Sequence, residues 1–214
     1  MTATDTPPSA PARAAARSSA RDLAQIAVFA ALIAALGLPG ALYLGGTAVP
    51  ITFQTLGVML AGAILGARKG ALSVLLFLAL VAAGLPLLSG GRGGIAVFVG
   101  PSVGYLIGWV LGAAVIGWFT ARLLPRYRVL PALLATALGG IAVVYAIGVP
   151  VFAAITGTPL EVALLGATVF LPGDVVKVVV TVLVAKGVHR AWPGLIEPAT
   201  WPGRRRGAEA SDAA

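Results

Sequence analysis

The chain has 214 residues, 59% of them apolar and only 10% charged, with a mean hydropathy of +0.99. A soluble domain carries about 25% charged residues to cover its surface, whereas residues 23–188 hold eight basic side chains and two acidic ones. Disorder, a collagen-like fibre and a soluble nucleic-acid binder are excluded by this arithmetic, and the net charge of +8 reads as the positive-inside bias of an integral membrane protein.

Taken in order, residues 1–20 are rich in Ala, Pro, Ser and Thr, with Arg13 and Arg17, and are expected to form a disordered cytoplasmic arm. The membrane domain is expected over 21–191, with apolar segments at 22–38, 51–67, 70–88, 101–121, 130–152 and 172–191. A spanning helix needs roughly 17–25 residues, so each segment suffices. The first carries Ala27, Ala31 and Ala35, a flat face on which a partner helix can approach closely; packing against this chain's own helices would use the same spacing. Arg68-Lys69-Gly70 marks a tight turn between the second and third segments. Three connections, 39–50, the Gly-rich 89–100 and the apolar 156–171, are unlike plain loops. Irregular backbone at membrane depth is tolerated where it lines a cavity, so they predict a lidded pocket. Residues 192–214, with Arg204 to Arg206, read as a disordered cytoplasmic tail.

Charge sets the expected orientation. With the N-terminus inside, thirteen of the fifteen basic residues fall on the cytoplasmic side; Arg92 lies outside and Lys177 within a span. Such a bias orients a membrane protein. The expected fold is therefore all-α, with six transmembrane helices, both termini cytoplasmic and the pocket toward the outer face of the cell membrane.

Chemistry concentrates at Pro172-Gly173-Asp174-Val175-Val176-Lys177. Proline suits a helix's first turn, and a carboxylate there is favoured by the helix dipole. Three residues apart, Asp174 and Lys177 share a face. An ionisable residue inside a span costs about 2.5–3.5 kcal/mol on insertion scales, so it faces a partner or a cavity. A cavity holding a polar, carboxylate-bearing ligand accounts for both charges; an intrahelical salt bridge is the alternative. Arg92 is flanked by Gly90-Gly91 and Gly93-Gly94, which let backbone approach a ligand closely. That cluster lacks the Lys-Ser/Thr ending of a phosphate loop. Tyr105 and Trp109 adjoin the small-residue face Gly104, Gly108 and Gly112. There is no cysteine, which removes thiolate metal sites, and the lone His189 sits beside Arg190, so no metal is expected.

Four motifs in order carry a family resemblance: Val49-Pro50-Ile51-Thr52-Phe53-Gln54-Thr55-Leu56-Gly57-Val58, Gly84-Leu85-Pro86, Gly100-Pro101-Ser102-Val103-Gly104-Tyr105-Leu106, and Gly173-Asp174 with Lys177. Over about 22–190 the chain resembles the BioY family, the biotin-specific membrane subunits of energy-coupling factor (ECF) transporters. The family's usual Gly-Pro-Thr-Gly-Gly-Tyr is here Gly-Pro-Ser-Val-Gly-Tyr, and its Pro-Val-Phe is here Pro86-Leu87-Leu88. The resemblance implies capture of biotin from outside, with no enzymatic activity and no cofactor. A separate transmembrane coupling protein, docked on Ala27, Ala31 and Ala35, and two ATPase subunits that bind the ATP would supply the energy. The implied substrate-binding residues are Asp174, Lys177, Arg92, Tyr105, Gln54 and Ser89. Asp174 can accept from ureido N–H groups, while Lys177 or Arg92 can meet the valerate carboxylate. An S-type subunit for another small vitamin is the competing reading. An intramembrane enzyme lacks its Ser–His or paired-Asp arrangement, and a channel lacks its rings of charge.

Overall fold

In hydrocarbon every backbone N–H and C=O must be satisfied internally, which restricts a spanning chain to helices or a closed barrel. The structure, a computed structural model, describes residues 10–40, 49 and 51–196, and among these the regular elements are all helices, with isolated bridging at positions that include Leu88 and Arg92, which pair with each other. Four of its helices are long and apolar enough to cross a membrane: Gln54–Ala82, Val103–Leu123, Val129–Thr156 and Leu160–Ala191.

The first helix, α1 (Ala10–Ala35), starts inside the stretch expected to be a disordered arm. Residues 10–20 contain six alanines, the best helix former, and that local preference prevails over the polar composition. Residues 1–9 lie outside the described part. Helix α1 buries Ala30 and Ile33 and leaves Ala27, Ala31 and Ala35 exposed. The other end of the chain differs from expectation as well, because the expected tail begins with a packed turn in which Ile196 is buried against Gly66. The rest of that tail, with Arg204 to Arg206, lies outside the described residues.

The second and third predicted segments form α2 (Gln54–Ala82), broken at Gly66, whose φ of 84° only glycine adopts cheaply. A Cβ on Gly70 would lie 2.8 Å from the Ala61 carbonyl oxygen and 2.9 Å from Gly62 Cα. Residues nine apart in an unbroken helix are about 13 Å apart, so the two arms fold back as a hairpin. Its turn is Gly66–Ala67, slightly before the predicted Arg68-Lys69-Gly70. Lys69 ties this turn to α1, with Nζ 3.1 Å from Asp22 Oδ1 and 2.8 Å from Gln25 Oε1.

Helix α3 (Val103–Leu123) packs most extensively on α2. The next segment runs from α4 (Val129–Ala137) through a π-turn at Leu138–Val143 into α5 (Val144–Thr156). The last runs from α6 (Leu160–Ala167) through a 3-10 turn at Thr168–Phe170 into α7 (Leu171–Ala191). The connection expected over 156–171 is thus helical from Leu160 and runs on into α7. Pro172 marks a junction within a longer helix, because the 3-10 turn before it already interrupts the ladder its missing N–H would have joined.

Two apolar clusters fill the interior. One includes Ile33, Val58, Phe77, Val81, Tyr105, Trp109, Val144 and Phe170. The other includes Met59, Leu60, Ile64, Ile116, Val178 and Ala185, at the end carrying Lys69 and His189. There, His189 Nε2 lies 2.8 Å from the Ala63 carbonyl oxygen and its ring is 5.6 Å from that of Tyr127. Burial pushes the Tyr127 phenol up to about 12, so it stays neutral at ordinary pH. Outward faces are apolar too: Leu75 and Leu76 on α2 and Val175, Val176 and Leu183 on α7 are exposed, as side chains that meet lipid should be.

Candidate functional site

At the end opposite His189 the helices diverge around a cavity of about 610 Å³, open mouth included. Each wall has its own source. Helix α7 supplies Asp174 and Lys177, α5 supplies Tyr145, the start of α2 supplies Gln54 and Thr55, α3 supplies Tyr105 and Trp109, and the loop before α3 supplies Arg92 and Ser102.

Asp174 and Lys177 are 5% and 7% exposed, so both charges are out of bulk water. Lys177 Nζ lies 3.0 Å from Asp174 Oδ1 and donates to Thr55 Oγ1 at 2.8 Å. The other carboxylate oxygen, Asp174 Oδ2, accepts from the Tyr145 hydroxyl at 2.6 Å. Each carboxylate oxygen is thus engaged once, and two of the three ammonium protons are used. One N–H of Lys177 and spare lone pairs on Asp174 remain for a ligand. The pair is charge-neutral as a unit, with Asp174 in the first turn of α7 just after the 3-10 break and Lys177 in the next.

Arg92 reaches the cavity from the mouth. Its contacts are long and uncharged: Nε is 3.4 Å from the Ser89 carbonyl oxygen and Nη1 is 3.5 Å from Ser102 Oγ. The described residues form two salt bridges, Lys69–Asp22 and Lys177–Asp174, and Arg92 is in neither. It therefore presents a net positive charge beside an otherwise balanced site. The same cavity has an aromatic wall. Tyr105 meets Tyr145 edge-on at 6.3 Å and Phe170 at 6.5 Å, and Trp109 packs 6.4 Å from Phe77. Such a wall suits an apolar ring system with polar ends.

Asp174, Lys177, Arg92, Tyr105 and Gln54, expected at one site, all line this cavity. Ser89 does not. It is fully buried, with Oγ 2.7 Å from the Gly40 carbonyl oxygen and 3.2 Å from that of Gly37, which points it away from the cavity and toward the end of α1. Gln54 lines the wall, but its amide is committed to backbone. Ala27, Ala31 and Ala35 lie on the outer surface of α1, away from the cavity. Sequence reasoning missed Tyr145 and gave Thr55 no role. The available signal was a hydroxyl in each case, one inside an otherwise aliphatic span and one beside Gln54. Of the connection expected over 39–50, residues 41–48 and 50 lie outside the described part.

Comparison with known proteins bears on this geometry. The model of the BioY family matches residues 9–194. The chain is 49% identical over 180 residues to the biotin transporter BioY of Rhodobacter capsulatus, covering 80% of this chain and 94% of the relative. It is 47% identical over 172 residues to the biotin transporter BioY of Rhizobium etli, covering 78% and 92%. Its fold is similar to the crystal structure of the S-component for biotin from an ECF-type ABC transporter, with a TM-score of 0.78 and 35% identity, covering 81% of this chain and 93% of that one.

Proposed function

The chain belongs to the BioY family, and from that premise we propose that it is the membrane subunit that captures biotin for uptake. The observation that carries this reading is one cavity lined both by a neutral Asp174–Lys177 pair and by Arg92, which is in neither salt bridge of the described residues. Biotin has matching groups. Its ureido ring offers two N–H donors and a carbonyl acceptor, which suit the spare lone pairs of Asp174 and the spare N–H of Lys177. Its carboxylate suits Arg92, because Lys177 is already neutralised at 3.0 Å while Arg92 is not. The thiophane ring then rests on Tyr105 and Trp109.

We assign six spans: α1, the two arms of α2, α3, Val129–Thr156 and Leu160–Ala191. The basic residues Arg68, Lys69, Arg122, Arg126, Arg128, Lys186 and Arg190 support placing their end, and both termini, in the cytoplasm. The cavity then opens outward. A cysteine placed at exposed Ala96 should react with an impermeant thiol reagent added to intact cells, and one at exposed Arg68 should not. The reverse pattern would overturn this orientation.

Energy is proposed to come from an ECF module, a transmembrane coupling protein and two ATPase subunits that bind ATP, with no cofactor held by this chain. The exposed stripe Ala27, Ala31 and Ala35 is the proposed docking face, since small residues allow close helix approach in lipid. Equilibrium binding of labelled biotin to the purified protein tests the function directly. Saturable binding displaced by unlabelled biotin and not by other vitamins is expected; absence of binding would refute the assignment. Ala31→Leu should retain that binding while energised uptake falls, because overpacking a helix contact costs about 1–3 kcal/mol. Equal loss of binding would mean that the stripe packs within this chain's own fold.

A further inference from the structure

Gln54 lines the cavity, yet both of its amide donors are spent on backbone. Nε2 donates to the Leu87 carbonyl at 3.0 Å and to the Ile33 carbonyl near the end of α1 at 3.2 Å, and Oε1 accepts from Ser89 N–H at 3.0 Å. It has no N–H left to offer a ligand. What it holds is the short loop that carries Arg92. Leu88 and Arg92 pair through two backbone bonds, Leu88 N–H to Arg92 C=O at 3.0 Å and Arg92 N–H to Leu88 C=O at 3.2 Å. Gln54 grips the residues on either side of Leu88. Ser89 extends the grip, because its hydroxyl rests on the Gly37 and Gly40 carbonyls. The Ser89 carbonyl then receives Arg92 Nε. A continuous set of hydrogen bonds thus runs from the first residue of α2 to the guanidinium.

We propose that Gln54 is a positioning residue for Arg92, and that through this loop it sets the preference for a ligand bearing a carboxylate. The inference rests on the reading that Arg92, not Lys177, takes the carboxylate. The geometry explains why a glutamine should be buried to 1% exposure against a cavity wall without facing the ligand with a donor. It also separates two classes of effect. The Asp174–Lys177 pair is held by Tyr145 and Thr55 and shares no hydrogen bond with the Gln54 set. Loosening the loop should therefore harm recognition of the anionic end and spare the ureido end.

The test is equilibrium binding of biotin and of biotinamide, in which a neutral amide replaces the carboxylate, to the purified full chain. Gln54→Met keeps the side chain's length and removes all three of its hydrogen bonds. It should weaken biotin about tenfold and biotinamide less than about threefold, tenfold being 1.4 kcal/mol. Near-normal biotinamide binding also certifies that the variant is folded. Ser89→Ala should shift the preference in the same direction by a smaller factor, and it serves if Gln54→Met does not fold. In an Arg92→Gln background, Gln54→Met should add no more than about twofold, since residues acting through one another are not additive. Equal loss of both ligands, or full additivity with Arg92→Gln, would make Gln54 a general scaffold residue and overturn the proposal. If Arg92→Gln alone leaves the preference for biotin intact, the Arg92–carboxylate reading fails, and the proposal fails with it.

Discussion

Lys177→Ala should lower biotin affinity by roughly thirtyfold or more. Lys177 is 7% exposed and holds Asp174 at 3.0 Å and Thr55 at 2.8 Å, and among the described residues Asp174 has no other salt-bridge partner. Truncating one member of a buried, hydrogen-bonded charge pair costs on the order of 2–5 kcal/mol in binding, and about 1.4 kcal/mol is tenfold. Alanine leaves Asp174 with Tyr145 as its remaining donor, so an uncompensated carboxylate would face the bound ureido ring. Asp174→Asn acts differently. It keeps the shape and one acceptor but strands Lys177, so biotin and biotinamide should weaken together. That pattern contrasts with the carboxylate-selective loss expected at Arg92. Affinities would be measured in detergent on protein whose thermal unfolding shows an intact fold. Wild-type binding in both variants would reduce the pair to a structural ion pair and move the ureido site elsewhere.

The legible parts of this molecule were those governed by local chemistry. Glycine and charge placed the hairpin of α2 to within a few residues, because a tight reversal between two apolar arms needs a residue free to take φ near 84°. Asp174, Lys177 and Arg92 were legible because charge in an apolar chain demands a reason. Tyr145 was not. It meets Asp174 across 29 residues, and that contact depends on the rotation of α5 about its axis. The π-turn at Leu138–Val143 resets this rotation by one residue, which no 3.6-residue periodicity anticipates. The hydrogen bonding of Gln54 and Ser89 was not legible for a related reason: the family resemblance placed both at the substrate, and the backbone carbonyls and N–H that they satisfy, where α1 ends and the loop before α3 begins, are brought to them only by the fold. Pro172 was legible as a helix start, which it is at the beginning of α7; that this start is a restart after a 3-10 turn was not.

Gly117→Val is expected to be the most damaging single change to stability. In α3 a Cβ at Gly117 would fall on the Ala67 nitrogen and the Gly66 carbonyl carbon, the turn of the α2 hairpin itself. Gly62, on the first arm of that hairpin, meets the Ala113 carbonyl of α3 in the same way. Both obstacles are backbone, so no rotamer change can make room. Valine must push α3 off the turn, and with it the Tyr105 and Trp109 that wall the cavity. Overpacking costs about 1–3 kcal/mol and occasionally more, and a clash with backbone belongs at or above the top of that range. For a chain of this size, about 3 kcal/mol corresponds to a fall of roughly 6–12 °C in the unfolding midpoint. Gly187→Ala is the matched control: nothing lies within 4 Å of its added Cβ, and alanine is the better helix former by about 1 kcal/mol. Its midpoint should hold or rise. Saturating biotin should recover part of the Gly117→Val loss, because a ligand that binds only the folded state stabilises it by mass action. An unchanged midpoint in Gly117→Val would mean that α3 does not rest on the hairpin turn, and the packing that positions the cavity's aromatic wall would have to be redrawn.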